Sequence, residues 1–80
     1  MSENRDVKRL KRDIDESLDY YYKNNKRLAI YIVVNNYTAD LMVTYFGGVN
    51  VDDFNTIYYQ NYKIAIDSSL KDFEFKVLGD

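Results

Sequence analysis

The run Leu28–Val34 constrains the fold more than any other stretch, because it is the most apolar and most β-prone segment of the chain. It reads Leu-Ala-Ile-Tyr-Ile-Val-Val, and so many β-branched residues in succession are typical of a strand whose two faces are covered over part of its length. We therefore expect this run to be the central strand, against which the other elements pack.

Apolar residues recur at steps of three and four between about Arg5 and Lys26. A helix turns about 100° per residue, so these residues fall within one arc, as in an amphipathic helix with one buried face. They are Val7, Leu10, Ile14, Leu18, Tyr21 and Tyr22. Asn24–Asn25 then tolerates the left-handed conformation in which many helices end. The sequence thus predicts a long N-terminal helix.

The segment after the central strand reads as a turn and a strand. Asn35–Asp40 is rich in turn-forming residues, and Leu41–Phe46 has the composition of the return strand of an antiparallel hairpin. Gly47–Gly48 permits positive φ and predicts a sharp change of direction.

The last third of the chain predicts further strands. Residues 49–61 fit either a strand or a short capped helix, and the β-prone run Thr56–Tyr59 favours the strand. Apolar and polar residues then alternate in Tyr62–Asp67 and again in Phe73–Val77, as in half-buried strands.

Together these elements predict a single small α+β domain over residues 1–80. We expect an N-terminal amphipathic helix packed on an antiparallel meander of four or five strands, in two layers. With 46% apolar and 30% charged residues, the chain can form one core and keep a solvated surface. Since no run approaches the roughly 18 apolar residues of a membrane span, we expect a cytoplasmic protein with no membrane partner.

The composition removes the common catalytic groups. The chain has no Cys and no His, so it can form neither a disulfide nor a thiolate metal site, and no histidine can activate a serine. The best acidic groups are Asp13 with Asp15 and Glu16 on the helix, and Asp52 with Asp53 after the glycines. Pairing of the helix acids with neighbouring Arg and Lys, and a solvated turn or cap at Asp52–Asp53, explain them better than acid–base catalysis or cation binding. The sequence therefore predicts a non-enzymatic protein without metal or cofactor.

Nine tyrosines are more than so small a core can hide with their hydroxyls satisfied. Tyr is enriched in protein interfaces, and Tyr20, Tyr37, Tyr58 and Tyr59 are the candidate partner contacts. We therefore predict a protein-binding module that occupies a partner's surface, such as an inhibitor or accessory factor, and a homodimer is a variant of this hypothesis. Abundant Asn, Ile, Lys and Tyr suggest AT-rich coding, as in a phage or mobile element. Such coding alone could also explain the tyrosines, with their rings lying flat on the sheet.

Nucleic-acid binding is the alternative interpretation. Residues 1–27 are net basic, and Lys8, Arg9, Lys11 and Arg12 could contact a phosphate backbone. A sequence pI of about 5.0 and the acids interleaved on the same helix favour a solvated face instead.

Aromatic residues of the predicted sheet could stack bases, as in RNA-binding sheets. Tyr31, Tyr45 and Tyr58 are examples. The predicted helices lack the number and order of that RNA-binding fold.

Overall fold

The computed structural model describes the backbone of residues 2–79 and the side chains of residues 5–79. Over this range the chain forms α1 (Ser2–Asn25), β1 (Tyr31–Val34), α2 (Asn36–Tyr45), β2 (Val49–Val51), β3 (Ile57–Tyr59), β4 (Tyr62–Ile66) and β5 (Lys76–Leu78). The predicted α+β class is confirmed, because residues 2–79 form one long helix, one short helix and a single five-stranded sheet.

The long N-terminal helix has the buried stripe that its periodicity predicts. Its core residues are Val7, Leu10, Ile14 and Leu18. The helix ends because Lys26 adopts a positive φ of 58°. Asn24 and Asn25 assist in a different way from the one expected, since their side-chain amides donate to the backbone carbonyls of Tyr20 and Tyr21.

The predicted turn and return strand over residues 35–46 are wrong, because this segment is helix α2. Asn35 caps the helix: its side-chain oxygen accepts a hydrogen bond from the Thr38 N–H at 2.8 Å. Leu41 and Met42 are buried in the core, and Phe46 follows as the C-cap. The residue types that favour turns also favour helix caps, which explains the error.

The sheet is mixed, so the predicted antiparallel meander is also wrong. Its strand order is β2-β3-β4-β1-β5. β1 pairs in parallel with β4 and antiparallel with β5, whereas β2–β3 and β3–β4 are antiparallel pairs. β1 therefore has a neighbour on each side, but the middle strand of the sheet is β4 and not, as we expected, β1. Since α2 takes the place of a return strand, both strands that pair with β1 come later in the chain, as β4 and β5.

The strands of the last third are confirmed in part. Residues 49–61 contain β2 and β3 rather than a helix, and β4 coincides with the predicted alternating strand. β5 begins only at Lys76. Phe73 lies outside it with a positive φ of 67°, and its N–H donates to the Thr38 hydroxyl at 2.9 Å.

Both helices contribute to one hydrophobic core on one face of the sheet. The sheet residues in this core are Ile32, Val34, Tyr59 and Ile64, which alternate with residues pointing to the opposite face. On that opposite face, Val33 is buried without belonging to the core cluster. The sheet thus has a helix-covered face and an open face.

Candidate functional site

The four tyrosines predicted to contact a partner do not form one surface. Tyr20 is 71% exposed on α1 and Tyr37 is 45% exposed on α2, where its ring packs edge-on against Phe73 at 6.0 Å between centroids. Tyr58 and Tyr59 are neighbours on β3, and neighbouring strand residues point to opposite faces. Tyr59 is fully buried in the core, so our expectation that it lies at the surface is wrong.

Tyr59 anchors β3 to α1. Its hydroxyl donates to Asp15 Oδ1 at 2.6 Å and accepts a hydrogen bond from Lys11 Nζ at 3.0 Å. Lys11 also donates to Asp15 Oδ2 at 3.1 Å, which closes the network. The ring packs edge-on against Phe46 at 5.4 Å between centroids. This satisfied phenol shows how a small core accommodates a tyrosine.

The same contacts shift two ionisation equilibria. Burial raises the pKa of Tyr59, and its hydrogen bond to Asp15 acts in the same direction. The pKa of Lys11 is raised by its hydrogen bonds to Tyr59 and Asp15. Each shift favours the proton-bound form, so Tyr59 and Lys11 keep their protons at neutral pH and the contact between β3 and α1 serves as a structural anchor.

At the other end of the β2–β3 hairpin, the tip (residues 52–56) carries a prominent aromatic ring. Phe54 is 88% exposed. The tip is nevertheless ordered by Asp52, whose Oδ1 accepts hydrogen bonds from the N–H groups of Phe54 and Thr56, both at 2.9 Å. Backbone bonds from Asp52 N to Thr56 O and from Asn55 N to Asp52 O complete the loop.

Of the two roles expected for Asp52, a solvated turn or a cap, this geometry shows the solvated turn. The pKa of Asp52 is lowered, chiefly because the carboxylate accepts the hydrogen bond from the Thr56 N–H, with a further contribution from Phe54. Sequence reasoning missed Phe54 itself. The signal was a single large apolar residue among the turn-forming residues Asp52, Asp53 and Asn55.

The open face of the sheet carries one row of side chains across all five strands. Strand register places these residues side by side: Asn50, Tyr58, Lys63, Tyr31 and Leu78. We call them the tyrosine row. Tyr58 and Tyr31 are half-buried, while Lys63 between them is exposed and places Nζ 6.0 Å from the Tyr31 ring centroid. Sequence alone could not identify this row, because it depends on the parallel β1–β4 pairing.

The basic cluster on α1 is divided by its contacts. Lys8 and Arg9 are exposed, but Lys11 is held by Asp15 and Tyr59, and Arg12 Nε lies 3.8 Å from Asp13. The helix therefore presents its bases interleaved with acids, as its sequence indicated.

Besides exposed rings and bases, a groove or a group of metal-binding side chains could form a site in the described part of the chain. A shallow groove of about 330 Å³ is lined by Asp15, Leu18, Asp19, Tyr22, Leu28, Gln60 and Tyr62. Its carboxylates are already paired, Asp15 with Lys11 and Asp19 with Lys23. Among residues 5–79, no group of three or more acids could hold a metal ion, and every buried side-chain N or O atom has a hydrogen-bond partner.

Neither helix within residues 2–79 combines the length and apolarity needed to cross a membrane. Comparisons with protein-family models, with curated proteins and with solved structures gave no match for this chain.

Proposed function

We propose that this protein is a non-enzymatic protein-binding module whose main anchor is Phe54 at the hairpin tip. The observation that supports the proposal is that Phe54 is 88% exposed on a loop ordered by hydrogen bonds. An exposed ring adds little to the stability of the fold, whereas burying a Phe side chain in a partner contributes about 1.5–3 kcal/mol.

Order in the tip favours binding. A flexible loop must lose conformational freedom when it docks, at about 0.5–1.5 kcal/mol for each immobilised side chain. Here Asp52 already fixes the backbone on both sides of Phe54. Tyr59 fixes the base of the same hairpin in the core. The ring is therefore presented on a support that needs little rearrangement.

The surroundings of Phe54 indicate the chemistry of the partner. Asp52 and Asp53 directly precede Phe54 and are exposed, and Val51 is an exposed apolar residue at the end of β2. We therefore propose a protein partner with an apolar pocket for the ring and basic residues around its rim. In this proposal the module acts in the cytoplasm by occupying the partner's surface, as an inhibitor or accessory factor of a phage or other mobile element.

Affinity capture with matched variants tests the proposal. The full chain, its Phe54→Ala variant and a Tyr20→Ala control would be immobilised and exposed to extract from the native host, with captured proteins quantified by mass spectrometry. We expect Phe54→Ala to reduce capture of a specific protein at least about tenfold, which corresponds to about 1.4 kcal/mol or more. Tyr20→Ala should leave that capture unchanged, because Tyr20 lies on α1 rather than on the hairpin.

Light scattering on the same proteins separates a second copy from a different partner. A dimer that Phe54→Ala converts to a monomer would identify the homodimer variant. Capture that is equal for wild type and Phe54→Ala, together with equal oligomeric state, would refute the hairpin tip as the anchor. Circular dichroism should show the same fold for both variants, since each removes an exposed ring.

A further inference from the structure

The open face of the sheet has a different chemistry from the hairpin tip. Beside the tyrosine row, strand register places a second row on the same face, formed by Ala65, Val33 and Lys76. These two rows contain two aromatic rings and two lysines and no carboxylate, although the whole chain has a net charge of −2. Lys63 and Lys76 interact electrostatically with Asp52 and Asp67, which directly follow β2 and β4. A ligand on this face therefore meets the lysine charge within the two rows and the carboxylates at the ends of these strands.

We propose that the tyrosine row binds single-stranded nucleic acid. Bases would stack on Tyr31 and Tyr58, and Lys63 would contact phosphate. Neighbouring strands are about 4.8 Å apart, so the two rings on either side of Lys63 are separated by about 10 Å and can each carry a base. Aromatic rings beside basic residues form the usual surface for single strands, because every base has a stacking face.

The same face is less suitable for other occupants. Lysine is depleted from the centres of protein interfaces, yet Lys63 lies at the centre of this row. A second copy packed face to face would bring lysines together and create like-charge repulsion. A duplex presents its bases stacked inside, so it could not use the two rings.

The charges at the two ends of the tyrosine row predict how the nucleic-acid strand lies along it. At one end, the Tyr58 hydroxyl makes a long 3.4 Å contact with Asp52 Oδ2, and this carboxylate would repel phosphate. At the other end, Arg27 precedes Tyr31 by four residues and is therefore within about 13 Å of it along the chain. Lys26 and Arg27 are both exposed. The strand should therefore extend from Tyr58 past Lys63 toward Tyr31 and these bases.

The proposal differs from binding by the basic helix and needs no particular helix order. Base stacking by a sheet requires rings with part of their surface accessible and nearby positive charge, and the half-buried Tyr31 and Tyr58 with Lys63 supply both. It is also independent of the proposed protein partner, because Phe54 belongs to the hairpin tip and not to the row.

Fluorescence anisotropy with a labelled oligothymidylate of about ten nucleotides tests the proposal on the full-length protein. We expect binding at low salt that weakens as salt rises, with a log–log slope of about −1.4 if two phosphates are neutralised. The variant carrying both Tyr31→Ala and Tyr58→Ala should bind at least about tenfold more weakly, and Tyr31→Phe with Tyr58→Phe should restore binding because the rings remain. Lys63→Glu should also weaken binding about tenfold or more.

Matched controls locate the site. Tyr45→Ala removes an exposed ring on α2, and Lys71→Glu reverses an exposed lysine outside the sheet, so both should bind as the wild type does. No anisotropy change at about 100 µM protein and low salt would overturn the proposal. Equal binding of a duplex, or loss of binding with Arg9→Glu but not with Lys63→Glu, would also overturn it.

Discussion

Tyr58 and Tyr59 are adjacent in the chain, but they lie in opposite environments. Tyr59 is fully buried on the helix-covered face, where its hydroxyl bonds to Asp15 and Lys11. Tyr58 is half-buried on the open face, beside Lys63 of the next strand. Adjacent tyrosines in a strand therefore cannot be assigned to one surface, because the strand repeat places them on opposite faces.

The contrast also separates stability from binding. A ring on the helix-covered face contributes its burial to folding, while a ring on the open face keeps part of its surface for a ligand. Substitutions on the two faces should consequently differ in their effect on the free energy of unfolding.

Replacing Tyr59 should give the largest effect. Tyr59→Ala removes a fully buried ring and leaves Asp15 without its hydroxyl donor, and we expect a loss of about 3–5 kcal/mol. A chain of this size has a total stability of about 4–12 kcal/mol, so the variant should be close to unfolding. Urea denaturation followed by circular dichroism measures the loss. Tyr58→Ala is the matched control and should cost less than about 1 kcal/mol; equal losses would show that the open face is covered in solution.

Sequence patterns predicted the elements whose signal is local. The helix α1 follows from three- and four-residue periodicity, and β4 follows from the alternation in Tyr62–Asp67. α2 was missed because its buried residues Leu41 and Met42 also suit a strand, and because Asn35 can begin a turn or cap a helix. Packing of this segment against the sheet decides between a helix and a strand, and that packing involves residues distant in the sequence.

The candidate sites were predictable to a smaller extent. Surplus tyrosine correctly indicated rings at the surface, and Tyr20 and Tyr37 are exposed. Their arrangement was not predictable, since the row that joins Tyr58 to Tyr31 exists only through β4 between their strands. The missed helix α2 led directly to the wrong pairing for β1, and hence concealed this row.

Removal of the N-cap of α2 should give the second-largest decrease in the free energy of unfolding. Asn35→Ala removes the bond to the Thr38 N–H and the bonds from the Asn35 amide to the Leu70 carbonyl and Asp72. We expect a loss of about 1–2 kcal/mol. Asn35→Ser keeps a capping oxygen without placing a second carboxylate beside Asp72, and should recover part of that loss in thermal or urea denaturation. If Asn35→Ala is no less stable than the wild type, α2 does not depend on this cap to cover its face of the sheet.

The Tyr59 hydroxyl should contribute about 1 kcal/mol at neutral pH, measured as the stability lost in Tyr59→Phe. Its contribution should depend on pH in a defined direction. The unfolded chain titrates tyrosine near pH 10, and the folded pKa of Tyr59 is raised, so the folded state holds the proton more tightly. Stability from this group is thus complete below about pH 10 and is lost as pH rises through the folded pKa.

Lys11 should add to the same alkaline decline, because its pKa is also raised above that of an ordinary lysine. Urea titrations at pH values from about 7 to 11.5 test both groups. The wild type should lose stability at the alkaline end more steeply than Tyr59→Phe does. Parallel curves for the two proteins would show that the Tyr59 proton is not linked to folding.

The smallest expected effect on the free energy of unfolding concerns two lysines, one on each face of the sheet, that lie close to a tyrosine ring. Lys11 Nζ is 5.5 Å from the Tyr59 ring centroid on the covered face, and Lys63 Nζ is 6.0 Å from the Tyr31 ring centroid on the open face. Methionine keeps most of the side-chain length without the charge. Lys63→Met should change the free energy of unfolding by less than about 0.5 kcal/mol, because an exposed contact at the limit of cation–π range is weak. Lys11→Met also removes hydrogen bonds to Tyr59 and Asp15 and should cost about 1 kcal/mol. If Lys63→Met lowers the free energy of unfolding as much as Lys11→Met does, then Lys63 stabilises the fold. Its charge would then be less available to a ligand on the open face.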